Sequence, residues 1–112
     1  MTNLYKVDTE NAMWLALGDP TRRAVFEIVA QKHSGVQEIA DQLPVSRSAV
    51  SQHLKLLGNA GLVHARKVGR NRIYAAHPEK LQELREWLDV YWTKAMQDFA
   101  DAADKDEEVR DD

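Results

Sequence analysis

The fold of this chain is decided by one stretch, VQEIADQLPVSRSAVSQHLKLLGNAG at residues 36–61. Its first part, from Val36 to Leu43, places apolar side chains at helical spacing, and Pro44 ends that pattern. Ser46 is a good N-cap for a second helix, which is predicted from Arg47 to Asn59. Two short amphipathic helices joined by a tight turn predict a helix-turn-helix.

The second of these helices separates an apolar stripe from a polar face. Val50, Leu54 and Leu57 form the stripe, and Gly61 is the expected left-handed stop after the helix. The opposite face carries small polar and basic side chains, which suit close approach to base edges in the major groove of DNA. The predicted DNA-contacting residues of this region are Ser46, Arg47, Ser48, Ser51, Gln52, His53 and Lys55.

A short β-hairpin is predicted directly after these helices. The segments from Leu62 to Val68 and from Arg72 to Ala76 have strand patterns, and residues 69–71 form the turn between them. Such a hairpin beside a helix-turn-helix is a wing, whose basic side chains contact phosphates or enter the minor groove. A solvated hairpin with charged edges is the alternative. The predicted wing contacts are Arg66, Lys67, Arg70, Asn71 and Arg72.

The charge distribution favours a polyanionic partner. The net charge is −3, yet no acidic residue lies between Leu43 and His77. From Glu79 to Asp112, twelve acidic residues outnumber five basic ones. One third of the chain can therefore approach DNA, while another third would be repelled by it. A winged helix that only docks proteins would not predict this distribution, whereas a non-specific architectural DNA binder would.

Three further helices complete a mainly α fold with a small β-hairpin, the winged helix-turn-helix. They are predicted from Asn11 to Leu17, from Pro20 to Lys32 after an Asp19 N-cap, and from Glu79 to about Ala102. The last helix is too long and too aromatic for a domain of this size to bury, so we expect a homodimer through the first and last helices. The predicted interface residues are Met13, Trp14, Leu17, Leu84, Trp87, Leu88, Tyr91 and Trp92.

The length of 112 residues fits one domain with short extensions. We expect an N-terminal arm at residues 1–10, the DNA-binding and dimerisation domain at 11–102, and an acidic flexible tail at 103–112. The chain has neither a signal-peptide pattern nor an apolar run of membrane-spanning length. A cytoplasmic protein without a membrane partner is therefore expected.

Several kinds of chemistry lack the residues that they need. The absence of cysteine excludes disulfides, zinc–thiolate sites and a thiol nucleophile. We find no phosphate-binding glycine loop and no pairing of a nucleophile with its base, so neither an enzyme nor a cofactor is expected. The histidines form no pair at i, i+4 spacing and are interpreted as surface, DNA-facing or structural residues rather than metal ligands. They are His33, His53, His64 and His77.

Four segments together resemble the ArsR family of bacterial winged-helix repressors. They are LALGDPTRR at 15–23, VSRSAVSQHLKLL at 45–57, AGLV at 60–63 and VGRNRIY at 68–74. The resemblance covers about residues 11–92 and implies a homodimer on a palindromic operator of double-stranded DNA in the bacterial nucleoid. It implies that the helix from Arg47 to Leu57 enters the major groove, that the wing touches flanking DNA, and that repression follows from promoter occlusion.

The chain departs from the metal-sensing members of this family. Those members carry a cysteine pair in the first helix of the helix-turn-helix, where residues 38–43 here have none, or histidines on the last helix, where residues 79–112 have none. The chain is similar to the cysteine-free, metal-independent branch. An alternative remains open, in which a small-molecule effector binds an aromatic pocket at the dimer interface. Its residues would be Trp14, Trp87, Tyr91 and Trp92.

Overall fold

A computed structural model describes the backbone of residues 4–110 and the side chains of residues 10–105. It confirms a mainly α fold with one β-hairpin. The chain divides into two units, Met1–Leu81 and Gln82–Asp112. The elements in chain order are α1 (Leu4–Gly18), α2 (Pro20–Gln31), α3 (Val36–Ala40), α4 (Arg47–Asn59), β1 (Val63–Val68), β2 (Asn71–Ala76) and α5 (Pro78–Arg110).

The helix-turn-helix consists of α3 and α4. α4 has the predicted bounds, and the predicted cap is confirmed, since the Ala49 N–H donates to Ser46 Oγ over 3.1 Å. α3 is shorter than predicted, because after Ala40 the chain tightens and the N–H groups of Gln42 and Leu43 donate to carbonyls three residues earlier. The prediction of a helix as far as Leu43 is therefore wrong. Apolar spacing continues into a turn that is no longer α-helical.

The core of the first unit is built from α2, α3 and α4, which pack against one another. This burial confirms the predicted apolar stripe of α4 and sets the rotation of that helix, so its polar face is turned outward. The aliphatic side chains on these three helices with at most 1% exposure are those of Val25, Val29, Ile39, Val50, Leu54 and Leu57.

Hydrogen bonds hold the corner between α1 and α2. The Arg22 N–H donates to Asp19 Oδ1 over 2.9 Å, which confirms the predicted N-cap and lowers the pKa of that carboxyl below its ordinary value. The guanidinium groups of Arg22 and Arg23 reach back to the end of α1, where positive charge complements the negative pole of the helix. They donate to the carbonyl oxygens of Leu15, Ala16 and Leu17.

The two strands of the hairpin pair antiparallel, with Val68 opposite Asn71. The turn therefore contains only Gly69 and Arg70, and the predicted turn that included Asn71 is wrong. Gly69 has a φ of 63°, and no residue other than glycine in the described backbone has a positive φ. Glycine in the first of two turn positions fits a type II′ turn, whose twist matches that of the flanking strands.

A third segment joins the hairpin near its base. Ser34 and Tyr74 form an antiparallel bridge, with backbone hydrogen bonds of 3.1 and 2.9 Å. β1 begins at Val63 rather than at the predicted Leu62, since the Leu62 N–H donates instead to the Leu57 carbonyl at the end of α4.

The terminal helices extend past the segments that the apolar pattern predicts. α1 begins at Leu4, inside the predicted arm, and α5 continues to Arg110, through most of the predicted tail. Apolar spacing detects the part of a helix with side chains to bury, whereas helical hydrogen bonding continues through polar residues of good helix propensity. Residues 1–3 of the arm and 111–112 of the tail lie outside the described residues. The domain limits stay a prediction. No helix between residues 4 and 110 combines the length and apolarity that crossing a membrane requires.

Gly61 follows α4 with a left-handed φ of 80°, as predicted, and a Cβ there would lie 3.1 Å from the Lys80 side chain. We expect Gly61→Ala to lower the free energy of unfolding by about 1–2 kcal/mol, measured by urea denaturation. Gly18→Ala is the control, because a Cβ at Gly18 meets nothing within 4 Å and its backbone is not left-handed. That variant should be as stable as the parent or slightly more stable. Equal losses in both variants would contradict this role for Gly61.

Candidate nucleic-acid interface

The outward face of α4 carries most of the predicted base-contacting side chains. Burial of Val50, Leu54 and Leu57 beneath them leaves this face open to solvent. The Ser46 hydroxyl is occupied by the helix cap, although the residue is exposed. The exposed members of the predicted set on α4 are Arg47, Ser48, Ser51, Gln52 and Lys55.

His53 is the exception in this set. It is half-buried, and its Nδ1 atom is shielded from solvent without a hydrogen-bond partner. The pKa of Asp19 is lowered chiefly by the Arg22 N–H, with smaller contributions from the charges of Arg22 and His53. His53 therefore lies near the corner between α1 and α2. Periodicity placed it on the polar side of α4 but could not show that this side partly faces another helix.

The predicted wing residues are all exposed on the hairpin. Side chains on a strand alternate between the two faces of a sheet, so Arg66 lies on one face and Lys67 on the other. Lys67 lies directly opposite Arg72. Two like charges in this position destabilise a hairpin unless an anion neutralises them. The pair therefore favours a phosphate-binding site, because a phosphate group would neutralise the two charges.

One cleft brings the two predicted groups together. Arg47 and Ser51 from α4 and Arg70, Asn71 and Arg72 from the wing line a cleft of about 440 Å³. The bridge near the base of the hairpin sets this geometry, because it ties β2 to the segment that leads into α3. The cleft therefore places groups suited to base edges beside groups suited to phosphates.

Glu38 also lines this cleft, and sequence reasoning missed it. Its Oε1 accepts the Gly35 N–H over 3.4 Å at the start of α3. The acid-free stretch begins only at Leu43, so charge counting along the chain did not include Glu38. Its position three residues after Gly35 is the signal that could have identified it as a capping residue. A carboxylate here repels phosphate and limits the basic surface on the α3 side.

The predicted interface residues fall into two groups. In the first unit, Met13 is completely buried within one chain, Trp14 is 38% exposed and Leu17 is half-buried. Met13 cannot therefore contact a partner directly, and its assignment to the interface is corrected to the core. Periodicity could not distinguish the two, because both kinds of residue lie on apolar faces of α1.

In the second unit, α5 exposes a broad apolar surface. Leu84 is buried, but the other predicted residues on α5 are exposed. The rings of Trp87 and Tyr91 pack against each other with centroids 4.6 Å apart. Sequence reasoning left two other exposed apolar side chains on this side of α5 out of the predicted interface: Met96 and Phe99. Their size and spacing along the helix were signals that could have included them.

The described side chains do not assemble a metal site. Among residues 10–105, no group of three His, Cys, Asp or Glu residues is arranged to hold a metal ion. The chain also contains no cysteine.

A helix-turn-helix followed by a basic hairpin defines the winged helix-turn-helix class of DNA-binding domain. Residues 19–65 match the model of the arsR family of bacterial regulatory proteins. The chain is 47% identical over 93 residues to the HTH-type transcriptional regulator Rv2034 of Mycobacterium tuberculosis, a match that covers 83% of this chain and 87% of the relative. The chain belongs to the arsR family, which confirms the resemblance seen in its sequence.

Two other proteins are similar to the chain over most of its length. The transcriptional repressor SdpR of Bacillus subtilis is 25% identical over 89 residues, which cover 80% of this chain and 99% of the repressor. The solved structure of an ArsR-like transcriptional regulator from Rhodococcus sp. RHA1 aligns with a TM-score of 0.72 at 28% identity, covering 85% of this chain and 90% of that chain. The family consists of DNA-binding regulators, which confirms that this chain is not an enzyme.

Proposed function

We propose that the chain is a sequence-specific transcriptional repressor that binds a palindromic DNA operator as a homodimer. The observation that carries this proposal is the cleft where Arg47 and Ser51 of α4 meet Arg70 and Arg72 of the wing. A duplex on this surface would receive α4 in its major groove and the wing along its flanking backbone. The helix would then read bases while the arginines hold phosphates.

The exposed face of α4 carries the proposed base contacts. The side-chain amide of Gln52 can donate to and accept from adenine, and the guanidinium of Arg47 has two parallel donors that match guanine. Ser48 and Ser51 are short enough to let the helix approach the groove closely. Half-buried His53 would position α4 beside Asp19 rather than contact a base.

The dimer is proposed from the apolar surface of α5. Leu88, Tyr91 and Trp92 are each more than half exposed, and an exposed apolar surface of this kind is typical of an interface. A second copy is the proposed occupant, because a two-fold contact between identical chains matches a palindromic operator. The two copies of α4 would enter major grooves about 34 Å apart along the duplex.

The proposed outcome of binding is repression, since a protein seated on a promoter excludes the polymerase. The related SdpR is named a transcriptional repressor. We place this action in the bacterial cytoplasm, on nucleoid DNA, and without a thiolate-bound metal, because the chain has no cysteine. An effector among the aromatic side chains of the interface stays a prediction from the sequence.

Gln52→Ala tests base reading. We expect it to weaken binding to the operator by about 1–3 kcal/mol and to relax the preference at one base pair. The side chain is exposed, so the fold should not change. The measurement is a titration of purified protein with an operator duplex, selected from genomic fragments, and with a scrambled duplex of equal length.

Arg70→Ala provides the contrast. It should weaken binding to both duplexes alike. The slope of log affinity against log salt concentration should fall by about one, as expected for the loss of one phosphate contact. An unchanged ratio of operator to scrambled affinity in Gln52→Ala would refute the assignment of α4 as the reading helix. Equal affinity of the parent chain for both duplexes would instead show a non-specific architectural DNA binder.

A further inference from the structure

Three of the four histidines gather near the base of the wing. His64 lies opposite Ala75 in the hairpin. Because Ser34 bridges Tyr74 in antiparallel register, His33 lies beside Ala75 from the other side. The row His33–Ala75–His64 therefore crosses the bridged segment at Ser34 and the two strands of the hairpin, on one face. Strands are spaced about 4.8 Å apart, so the two imidazoles stand on either side of a small residue.

This row forms one wall of a small cleft, which we call the histidine notch. It has a volume of about 270 Å³, and its residues are His33, His64, Arg66, Ile73, Ala75, Ala76 and Pro78. Arg66 belongs to the same face as His64, two residues along β1. The polar side chains that line the notch are all basic, and no carboxylate among residues 10–105 lines it. The rest of the lining is apolar.

The ring of His77 packs against the ring of His64, which lines the notch. The two rings meet edge to face at 86°, with centroids 5.7 Å apart, which restricts the orientation of His64. The Nδ1 atom of His77 is shielded from solvent and has no hydrogen-bond partner. Arg66 contributes a positive charge to this cluster, and the imidazoles contribute N–H donors. An anion is the natural complement of this cluster.

We propose that the histidine notch binds a small organic anion. Its carboxylate would lie between the imidazoles and Arg66, and its apolar body would pack on Ile73 and Pro78. The volume falls below the range of about 300–1,000 Å³ that is usual for drug-sized ligands, so the ligand is a compact one. A metal ion is disfavoured, because no three ligating side chains among residues 10–105 are arranged to hold one.

The notch also has a consequence for DNA binding, and this part rests on the proposed function. Arg66 belongs to the wing, where it would help to hold a phosphate. An anion in the notch competes for the same guanidinium, so ligand and DNA weaken each other's binding reciprocally. A phosphodiester of flanking DNA could supply the same negative charge, but it would leave the apolar lining of the notch uncovered.

The test uses the full chain, with benzoate as the probe. Benzamide has the same shape without the charge, and inorganic phosphate has the charge without the apolar body. We expect benzoate to shift the imidazole resonances of His33 and His64 in an NMR titration. Benzamide should leave them unchanged, and phosphate should bind about tenfold more weakly than benzoate.

Variants locate the site. His64→Ala and Arg66→Ala should weaken benzoate binding about tenfold, since each removes a hydrogen-bond donor to the carboxylate. Lys67→Ala is the matched control, because it removes a charge from the next residue on the opposite face of the hairpin. His64→Gln, which keeps a polar side chain of similar size, separates loss of the imidazole from loss of the fold, and thermal melting of each variant checks folding. Equal effects of Lys67→Ala and Arg66→Ala would overturn the assignment.

Further outcomes decide the two parts of the proposal, the anion site and its competition with DNA. Failure of benzoate to perturb His33 and His64, or phosphate binding as strong as that of benzoate and lost on addition of duplex DNA, would overturn the organic-anion site. A fall in DNA affinity with added benzoate, absent in Arg66→Ala, would support the competition. Benzoate binding without any effect on DNA would overturn the competition alone. Failure of the parent chain to bind DNA would refute the proposed function and leave the benzoate result standing.

Discussion

Trp92→Asp is expected to be a monomer at concentrations where the parent chain is a dimer. Trp92 is 64% exposed in the single chain, so a partner has much of its indole surface left to cover. Burying a tryptophan at an interface contributes on the order of 3 kcal/mol, and the aspartate adds the cost of burying a charge. We expect the dimer dissociation constant to rise at least about a hundredfold, measured by sedimentation equilibrium.

The control for this variant lies on the same helix. Val90 is 65% exposed but lies two residues earlier on α5, about 200° around the helix. Val90→Asp should therefore leave the dimer intact. Both variants should retain the circular dichroism of a folded chain, because neither side chain is buried in it. If Trp92→Asp stays dimeric, or if Val90→Asp dissociates equally, the dimer surface lies elsewhere. On an operator with two half-sites, Trp92→Asp should lose affinity while single half-site binding persists.

Leu54→Ala is expected to produce the largest loss of stability. Leu54 is 1% exposed on α4, and this helix packs against α2 and α3. Removing a buried leucine side chain costs about 2–5 kcal/mol, because the transfer energy is lost and a cavity remains. Domains of this size have about 5–15 kcal/mol of total stability, so a substantial fraction is removed. Urea denaturation followed by circular dichroism measures the change.

Leu56→Ala is the matched control for the core. The same residue type is replaced two positions later on α4, where the side chain is 37% exposed. Because less apolar surface is buried there, the expected loss is about 1 kcal/mol or less. Equal losses at the two positions would show that α4 does not pack as described. In the absence of denaturant, the folded fraction of Leu54→Ala should still bind DNA, since its DNA-facing side chains are unchanged.

The bounds of α4 were predictable because local chemistry sets them. Ser46 satisfies an N–H group at the start of the helix, and Gly61 adopts a left-handed conformation after it. Both signals act over a few residues and do not depend on the rest of the fold. α3 had no comparable stop signal at Ala40, and its apolar spacing ran on through the turn to Leu43.

The outward side of α4 was only partly predictable. Periodicity separates an apolar stripe from a polar face, but it cannot tell a solvent-facing residue from one beside another helix. Arg47 and Gln52 are exposed, as expected for DNA contacts, whereas His53 is half-buried beside Asp19. The same ambiguity placed Met13 at a dimer interface, although it is completely buried within one chain.

By itself, the sequence determined the helix-turn-helix, the hairpin, the family and the segregation of charge, because each depends on neighbouring residues or on the order of segments. Only the tertiary structure decided which distant residues meet. Pairing of Ser34 with Tyr74 brings the segment that leads into α3 beside the wing, and Glu38 lines the same cleft as Arg72. The tertiary structure also brings His33 and His64, which are far apart in the sequence, to the same notch. Such juxtapositions follow from strand register and helix packing, which join residues far apart in the chain and leave no local pattern in it.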